Sequence, residues 1–432
     1  MFIHFTLTLI HCYCRLQVCG WVVMEKNIIL DPIHGYIEFD RFKQLLFDTP
    51  QMQRLRRIKQ LGFTNLVYPG ANHTRFEHCM GTMHLSSLFL KIQRENKIGT
   101  LGEFEKDDLD EIVVAGLLHD IGHGPFSHAT EKLIEQYTRR SHDDVKHILS
   151  STEVGDILKD YGFTPSKIAK HIAGETPVSQ ILSSEIDIDK MDYLARDMHY
   201  TGITSGSVDY IRLLNHMNYY EDKLVLDAGA IRAAESLLVS RYWMNVSVYY
   251  HHVARIAESM CSRACAMLLK SQNIHPQEFA RLDDVGLIAL MREDVGFAGE
   301  IAYRLDHRNL YKRALYEGID AVGHGIFEHR KNVDRVEREI AETAGVDPED
   351  IIVDIPSKPE MAEMKALIMK GNMKKLTDAS HFIQVLENAQ VSNWKMGVFT
   401  PKEHLEAVSK AAEDFFGIEN KPKTKQFNLQ MF

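Results

Sequence analysis

One stretch of this chain concentrates groups that bind cations and move protons: Leu117-Leu118-His119-Asp120-Ile121-Gly122-His123-Gly124-Pro125-Phe126-Ser127-His128. An apolar helical run over 112–118 ends in an imidazole beside a carboxylate. Neighbours in sequence turn toward one point only where the backbone bends, and Gly122 and Gly124-Pro125 supply that bend. A neutral imidazole nitrogen with a carboxylate oxygen is a sound pair for a divalent cation. Two other segments carry matching chemistry. In Asn72-His73-Thr74-Arg75-Phe76-Glu77-His78, Arg75 and His78 stand three apart on one helical face. In Ser183–Asp197, Asp189, Tyr193 and Asp197 fall at i, i+4 and i+8, a polar stripe with Lys190 beside it. A buried polar stripe is costly unless it is paired or liganded. A His, a His-Asp and an Asp on separate helices are expected to converge on one two-nitrogen, two-oxygen site with positions left open for water.

The elements that must hold these groups are mostly helical. Ile28–Phe39, with Asp31-Pro32 and His34-Gly35 at its turn, reads as a hairpin. From Phe42 to about Lys270 apolar residues recur at three- and four-residue spacing, broken at Pro50, Gly62, Pro69-Gly70, Gly122–Pro125, Gly162–Pro165 and Gly202–Gly206. Thr49 with Pro50 reads as a helix cap followed by the first helical position. A short strand pair is expected around Met217–Leu226, and Ala230–Lys270 reads as one long buried helix. Beyond Pro276, strand candidates at Tyr311–Tyr316, Ile351–Asp354 and Lys395–Phe399 alternate with helices near Phe327–Ala344 and Pro401–Phe416, which suggests a smaller α+β unit. The expected class is therefore mainly α, with small β-hairpins. The expected division is 1–23 as a dispensable extension, 24–275 as the main helical domain and 276–432 as the C-terminal unit.

Composition narrows the class. The 432 residues carry 50 Lys+Arg against 60 Asp+Glu, a net charge of −10, and are 45% apolar, which excludes a disordered chain, a collagen-like fibre and a disulfide scaffold. The acidic balance argues against broad coating of nucleic acid. The 6 cysteines form no metal-type pair and suit a reducing, cytoplasmic setting. Met1–Val23 is apolar, but it carries His4, His11 and Arg15, and no stretch approaches the ~20 residues of a spanning helix. It also lacks the marks of a signal peptide. Met24 is the expected start, a weak anchor being the alternative.

The long motifs DPIHGYIEF, DTPQMQRLRRIKQLG, VYPGANHTRFEHCMG, AGLLHDIGHGPFSH and IDIDKMDYLARD appear in this order. Together with the pattern His…His-Asp…Asp, they make residues 27–197 resemble the HD superfamily of metal-dependent phosphohydrolases. The resemblance is to the branch of deoxynucleoside triphosphate (dNTP) triphosphohydrolases that contains the SAM-and-HD-domain enzyme. It implies His78, His119, Asp120 and Asp189 as ligands of a divalent ion (Mn, Mg, Fe, Co, Ni or Zn). It implies His123 as the group assisting attack or departure, oriented by Glu131 and His142. It places Arg75, His128 and Lys190 at phosphate, Tyr193 and Asp197 at the sugar, and Tyr250 at the pocket. The implied reaction releases nucleoside and tripolyphosphate from a dNTP by attack of water on the α-phosphorus. Asp48, Gln53 and Arg56 match positions that bind an activating guanine nucleotide between subunits of a homo-oligomer. Over 240–252 the pattern departs: Tyr250 and His252 match, but the arginine is displaced by one position (Arg241), and Ser247 and Val248 replace a basic pair. That departure favours, as alternatives, another HD phosphatase or phosphodiesterase. A low-turnover nucleotide sensor or nucleic-acid-binding protein is the remaining alternative.

Several of these residues have plainer readings. Arg75 can be a salt-bridge partner. His123 and His128 can fill the bend, Glu131 and His142 can belong to a helix surface, and Tyr193 can be core. Asp48, Gln53 and Arg56 can cap and pair helix ends. Asp192 and Arg196, at i and i+4, read as an ion pair. His73 and His199 carry no assigned role.

Overall fold

The computed structural model describes residues 27–96, 104, 106–358 and 366–418. The N-terminal extension and the basic stretch 421–425 lie outside the described residues. The chain is mainly helical, with small sheets and a mixed α+β region toward its C-terminus.

The first hairpin forms where expected. Strands β1 (Asn27–Asp31) and β2 (Gly35–Phe39) pair antiparallel. Asp31 Oδ1 closes the turn by accepting from the Ile33 and His34 amides, both at 2.9 Å. After α1 (Arg41–Phe47), Thr49 caps α2 (Pro50–Arg54), its side chain accepting from the Met52 amide with Pro50 at the first helical position.

Three helices form the frame of the site: α3 (Arg75–Asn96), α4 (Lys106–Leu118) and, later in the chain, α6 (Ile188–Thr201); α3 packs against both others. Where α3 meets α6 only glycine fits, because a Cβ on Gly81 would stand 1.8 Å from Asp192 Oδ1. The bend after α4 leads to α5 (His128–Thr138). Phe126 (φ 50°) and Ser127 (φ 39°) take left-handed backbone there, a conformation costly for residues with a Cβ. Gly122 has no room for a side chain, since a Cβ would come within 2.1 Å of the His142 carbonyl oxygen.

The stretch 230–270 is not one helix. It splits into α7 (Ile231–Met244), a wide π turn over Asn245–Tyr249, and α8 (His252–Lys270). One residue more per turn rotates everything after it around the helix axis, which helical periodicity over a long apolar run does not register.

Strands β3 (Met217–Tyr220) and β4 (Lys223–Asp227) form the expected pair. Beyond 276 come α9 (Asp284–Glu293), β5 (Lys312–Gly318), α10 (Val333–Ala344) and β6 (Ile352–Asp354). They are followed by an unexpected hairpin, β7 (Leu367–Lys370) and β8 (Asn372–Lys375), and then by α11 (His381–Ser392), β9 (Lys395–Thr400) and α12 (Leu405–Phe416). The order β5-β9-β6 makes one antiparallel sheet, covered by α10 and α12 around Val336, Ile340, Trp394, Val398 and Val408. The β7–β8 hairpin instead joins the earlier sheet in the order β3-β4-β7-β8, with β4 and β7 parallel. Ile368, Leu376, Ile383 and Leu386 are thereby buried in the same core as α3, α4 and α6.

Candidate metal centre and nucleotide pocket

α3 contributes His78 near its start, α4 delivers His119 and Asp120 at its end, and α6 contributes Asp189 in its first turn. Their ligating atoms meet. His78 Nε2 is 2.8 Å from Asp189 Oδ1 and 3.1 Å from His119 Nε2. His119 Nε2 is 3.5 Å from Asp120 Oδ1 and 3.6 Å from Asp189 Oδ1, and His78 Nε2 is 3.9 Å from Asp120 Oδ2. Ligands about 2.0–2.2 Å from a common ion stand about 3 Å or a little more from one another; the His78, His119 and Asp120 atoms all lie within 4.8 Å of one another, as a divalent cation needs, and Asp189 joins them through the two imidazoles.

The protonation pattern agrees. His78 Nδ1 lies 2.8 Å from Asp192 Oδ2, and His119 Nδ1 lies 2.9 Å from the Gly116 carbonyl oxygen. Each ring therefore donates its Nδ1 proton outward and directs Nε2 at the same point, the usual arrangement of metal-binding histidines. Burial lowers the His78 pKa, but Asp189 and Asp192 outweigh it and push it up to about 10. A field that holds a proton this firmly also attracts a cation. The residues present fit a divalent metal.

Asp192 is the ion-pair partner of Arg196, but it does more. Its carboxylate accepts from Arg196 at 2.9 and 3.0 Å, and faces His34 Nε2 at 2.6 Å as well as His78. Arg196 in turn donates to Asp31 Oδ2 at 2.8 Å, so the first hairpin is tied to the metal centre. Asp192→Asn removes the charge that orients His78 and is expected to weaken metal binding about 10–100-fold. Calorimetric titration with Mn²⁺ measures this; an unchanged affinity would remove Asp192 from the centre.

Beside the cluster, Arg75 Nη1 donates to Asp120 Oδ2 at 2.6 Å and Arg75 Nε to Ser127 Oγ at 2.6 Å. Burial opposes ionisation of Asp120, yet Arg75 and His119 hold its carboxyl well below the usual range. His123 Nε2 is 3.2 Å from Asp120 Oδ1, and its ring stacks on His142 at 4.2 Å between centroids. Burial and the charge of Arg75 push the His123 pKa down to about 3, leaving a neutral imidazole. Glu131 faces both His128 (3.4 Å) and His142, and these two partners hold its carboxyl below the ordinary range.

The bend itself is held from behind. Half-buried Arg54 of α2 donates to the carbonyl oxygens of Ile121 (3.1 Å), His123 (2.6 Å) and Leu282 (2.8 Å). Asp284 of α9 accepts from the Phe126 amide at 2.6 Å and the Lys59 amide at 2.9 Å, and burial pushes its carboxyl up to about 6.

His78, His119, Asp120, Asp189, Arg75, His123, His128 and His142 line one cavity of about 550 Å³, together with Tyr193, Asp197, Arg241, Asn245 and Tyr249. Asp197 Oδ1 lies 2.7 Å from His73 Nε2, and Asp197 Oδ2 accepts from the Tyr249 hydroxyl at 2.6 Å. His73, to which the sequence assigned nothing, thus orients the carboxylate of the polar stripe. Two expected pocket residues are elsewhere. The Lys190 ammonium donates to Asp187 Oδ2 (2.7 Å) and the Ser184 carbonyl oxygen (2.9 Å), because Asp187 caps α6 and draws it back along the helix. Tyr250 does not line the cavity; the π turn brings Tyr249 round in its place. Gln53 and Arg56 are satisfied locally: Gln53 donates to the Phe47 carbonyl oxygen at 2.8 Å and accepts from Arg56 at 3.0 Å, while Arg56 lies 3.7 Å over the Phe76 ring. Asp48 is an exposed residue at the end of α1. Among the described residues no helix is long and apolar enough to cross a membrane.

Comparison with known proteins falls on the same segments. The HD domain family model matches residues 75–197, and the model of the HD associated region matches residues 208–427. An uncharacterized protein of Methanocaldococcus jannaschii, MJ1154, is 33% identical over 389 residues, 88% of this chain and 80% of its own length. The deoxynucleoside triphosphate triphosphohydrolase SAMHD1 homolog of Dictyostelium discoideum is 32% identical over 354 residues, 76% of this chain and 67% of its own length. A crystal structure of a hypothetical protein from Aquifex aeolicus superposes with a TM-score of 0.72 at 27% identity, over 90% of this chain and all of the other. With its ligand cluster inside the HD match and the associated region behind it, the chain belongs to the HD family of metal-dependent phosphohydrolases and is related to the SAMHD1 branch.

Proposed function

We propose that this protein hydrolyses deoxynucleoside triphosphates to deoxynucleoside and tripolyphosphate. The observation that carries the reading is a single cavity with a cation-binding cluster and Arg75 on one side and Asp197, set between His73 and Tyr249, on the other. The first side suits a phosphoryl group and the second a sugar hydroxyl. His78, His119, Asp120 and Asp189 would hold the ion, which when bound supplies Lewis acidity toward a phosphoryl oxygen and acidifies water. Arg75 offsets phosphate charge while keeping Asp120 ionised. His123 offers a neutral nitrogen for a proton, and His142 with Glu131 fixes its ring plane. Tyr193 and Asp197 seat the sugar, the carboxylate accepting from its 3′-hydroxyl. The name of the Dictyostelium relative supports this choice of substrate. The same reading includes a homo-oligomer in the cytoplasm and a guanine-nucleotide effector at Asp48, Gln53 and Arg56.

A second reading, a nucleotide phosphatase or phosphodiesterase, is favoured by one observation: the Lys190 ammonium is spent on Asp187 and Ser184. Incubation with Mn²⁺ and a panel of dNTPs, monophosphates and cyclic dinucleotides separates the two, with products identified by anion-exchange chromatography. Tripolyphosphate is the expected product from dNTPs. Orthophosphate as the sole inorganic product would replace the first reading with the second.

A further inference from the structure

The resemblance and the family chemistry leave two acidic residues of the cavity without work, Asp143, which accepts from Ser141, and Glu258. Glu258 lies on α8, just past the unwound turn, and lines the same cavity as Arg75 and His128. Among the described residues its carboxylate makes no hydrogen bond and no ion pair. Its helix neighbour Arg255 is not available to it, being held by Asp354 Oδ2 at 2.8 Å and the Lys395 carbonyl oxygen at 2.9 Å. Behind it runs bare backbone: a Cβ on Gly62 would lie 3.5 Å from Glu258 Oε1. The charged groups it senses are His128 across the cavity, Asp354 from β6 and Arg255 on its own helix, and burial raises its carboxyl to about 7. Glu258 is half-buried, and an unpartnered carboxyl facing a cavity carries part of the cost of desolvation without a hydrogen bond to offset it. Such groups are typical of places where a ligand completes the environment.

We propose that Glu258 is a specificity-determining residue that limits how much anionic charge the cavity accepts beyond the phosphoryl group at the metal centre. His128 and Glu258 then act as opposed gates on one tail: the imidazole welcomes phosphate oxygens, and the carboxylate disfavours a long chain by the net negative charge that it keeps even as a magnesium complex. The inference rests on the reading of the cavity as a nucleotide site. It adds a preference among phosphate chain lengths set by a residue outside the HD motif.

The test compares wild type with Glu258→Gln, which keeps the shape and removes the charge. Inorganic tripolyphosphate and orthophosphate, each as its magnesium salt, are titrated calorimetrically into metal-loaded protein in mildly alkaline buffer. Tripolyphosphate is expected to bind about tenfold more tightly to the variant, the scale of one nearby like charge in a partly screened site. Orthophosphate is expected to change by less than about twofold, because the centre itself is untouched. Thermal melting of the variant should match or exceed that of wild type, since no contact is lost. Equal changes for both anions, no change for either, or no binding of either anion by either protein would overturn the inference. Binding does not depend on turnover. A wild type that hydrolyses no nucleotide, beside a variant that tightens selectively on tripolyphosphate, therefore sinks the proposed activity and leaves the role of Glu258 standing.

Discussion

Asp120→Ala is expected to abolish both metal uptake and hydrolysis. Four neighbours share this carboxylate: Arg75 at 2.6 Å, His123 at 3.2 Å, His119 at 3.5 Å and His78 at 3.9 Å. Its removal takes one oxygen from the cluster and leaves the buried Arg75 guanidinium without its anionic partner. An uncompensated buried charge of this kind costs about 3–5 kcal/mol, so the variant should also melt at a lower temperature. Asp120→Asn separates the two effects. The amide oxygen can still accept from Arg75, which restores part of the stability, but a neutral ligand does not restore turnover. Metal content by mass spectrometry, melting and product chromatography on the three proteins read all of this. Undiminished hydrolysis by Asp120→Ala would count decisively against the centre.

His123→Ala should behave in the opposite way with respect to the metal. Among the described residues His123 contacts the cluster through Asp120, and Arg54 holds its backbone carbonyl independently of its side chain. The bend and the four ligating groups are therefore expected to survive. The neutral imidazole stacked on His142 is lost, and with it a proton-transfer group, which typically costs 10²–10⁴-fold in rate. The expected result is full metal occupancy with a turnover number lowered by about that factor and KM little changed. A rate within about tenfold of wild type would show that His123 does not handle the proton.

Much of this was legible in the sequence where the signal is local. The Thr49-Pro50 cap and the Asp31–Gly35 turn rest on the preferences of one or two residues. The stripe Asp189, Tyr193, Asp197 rests on helical spacing, and all three residues do line the cavity. What escaped depends on the third dimension or on a single extra residue. The π turn over Asn245–Tyr249 leaves hydropathy unchanged, yet it exchanges Tyr250 for Tyr249 beside Asp197. The direction of a long side chain such as Lys190 is chosen by its nearest cap, not by its place on the helix. His73 and Glu258 looked ordinary because their significance comes from what stands opposite them, Asp197 in one case and, among the described residues, no hydrogen-bond partner in the other. Strands β7 and β8 are four residues each, and their edge partner is far away in the chain.

That distant partner decides the order of assembly. β4 pairs in parallel with β7, Val225 opposite Leu367, so the chain must close a very long loop before this ladder exists. Closures of that length are slow, and until they are made an open strand edge invites pairing with other chains. On the ribosome, His78, His119, Asp120 and Asp189 emerge well before Leu367 does, and α7, which leads into the π turn, cannot receive α11 until later still. The nascent molecule thus passes through a stage in which the candidate metal cluster is written but the cavity wall that carries Tyr249 still lacks a buttress, a stage at which chaperone capture or mispairing competes with completion.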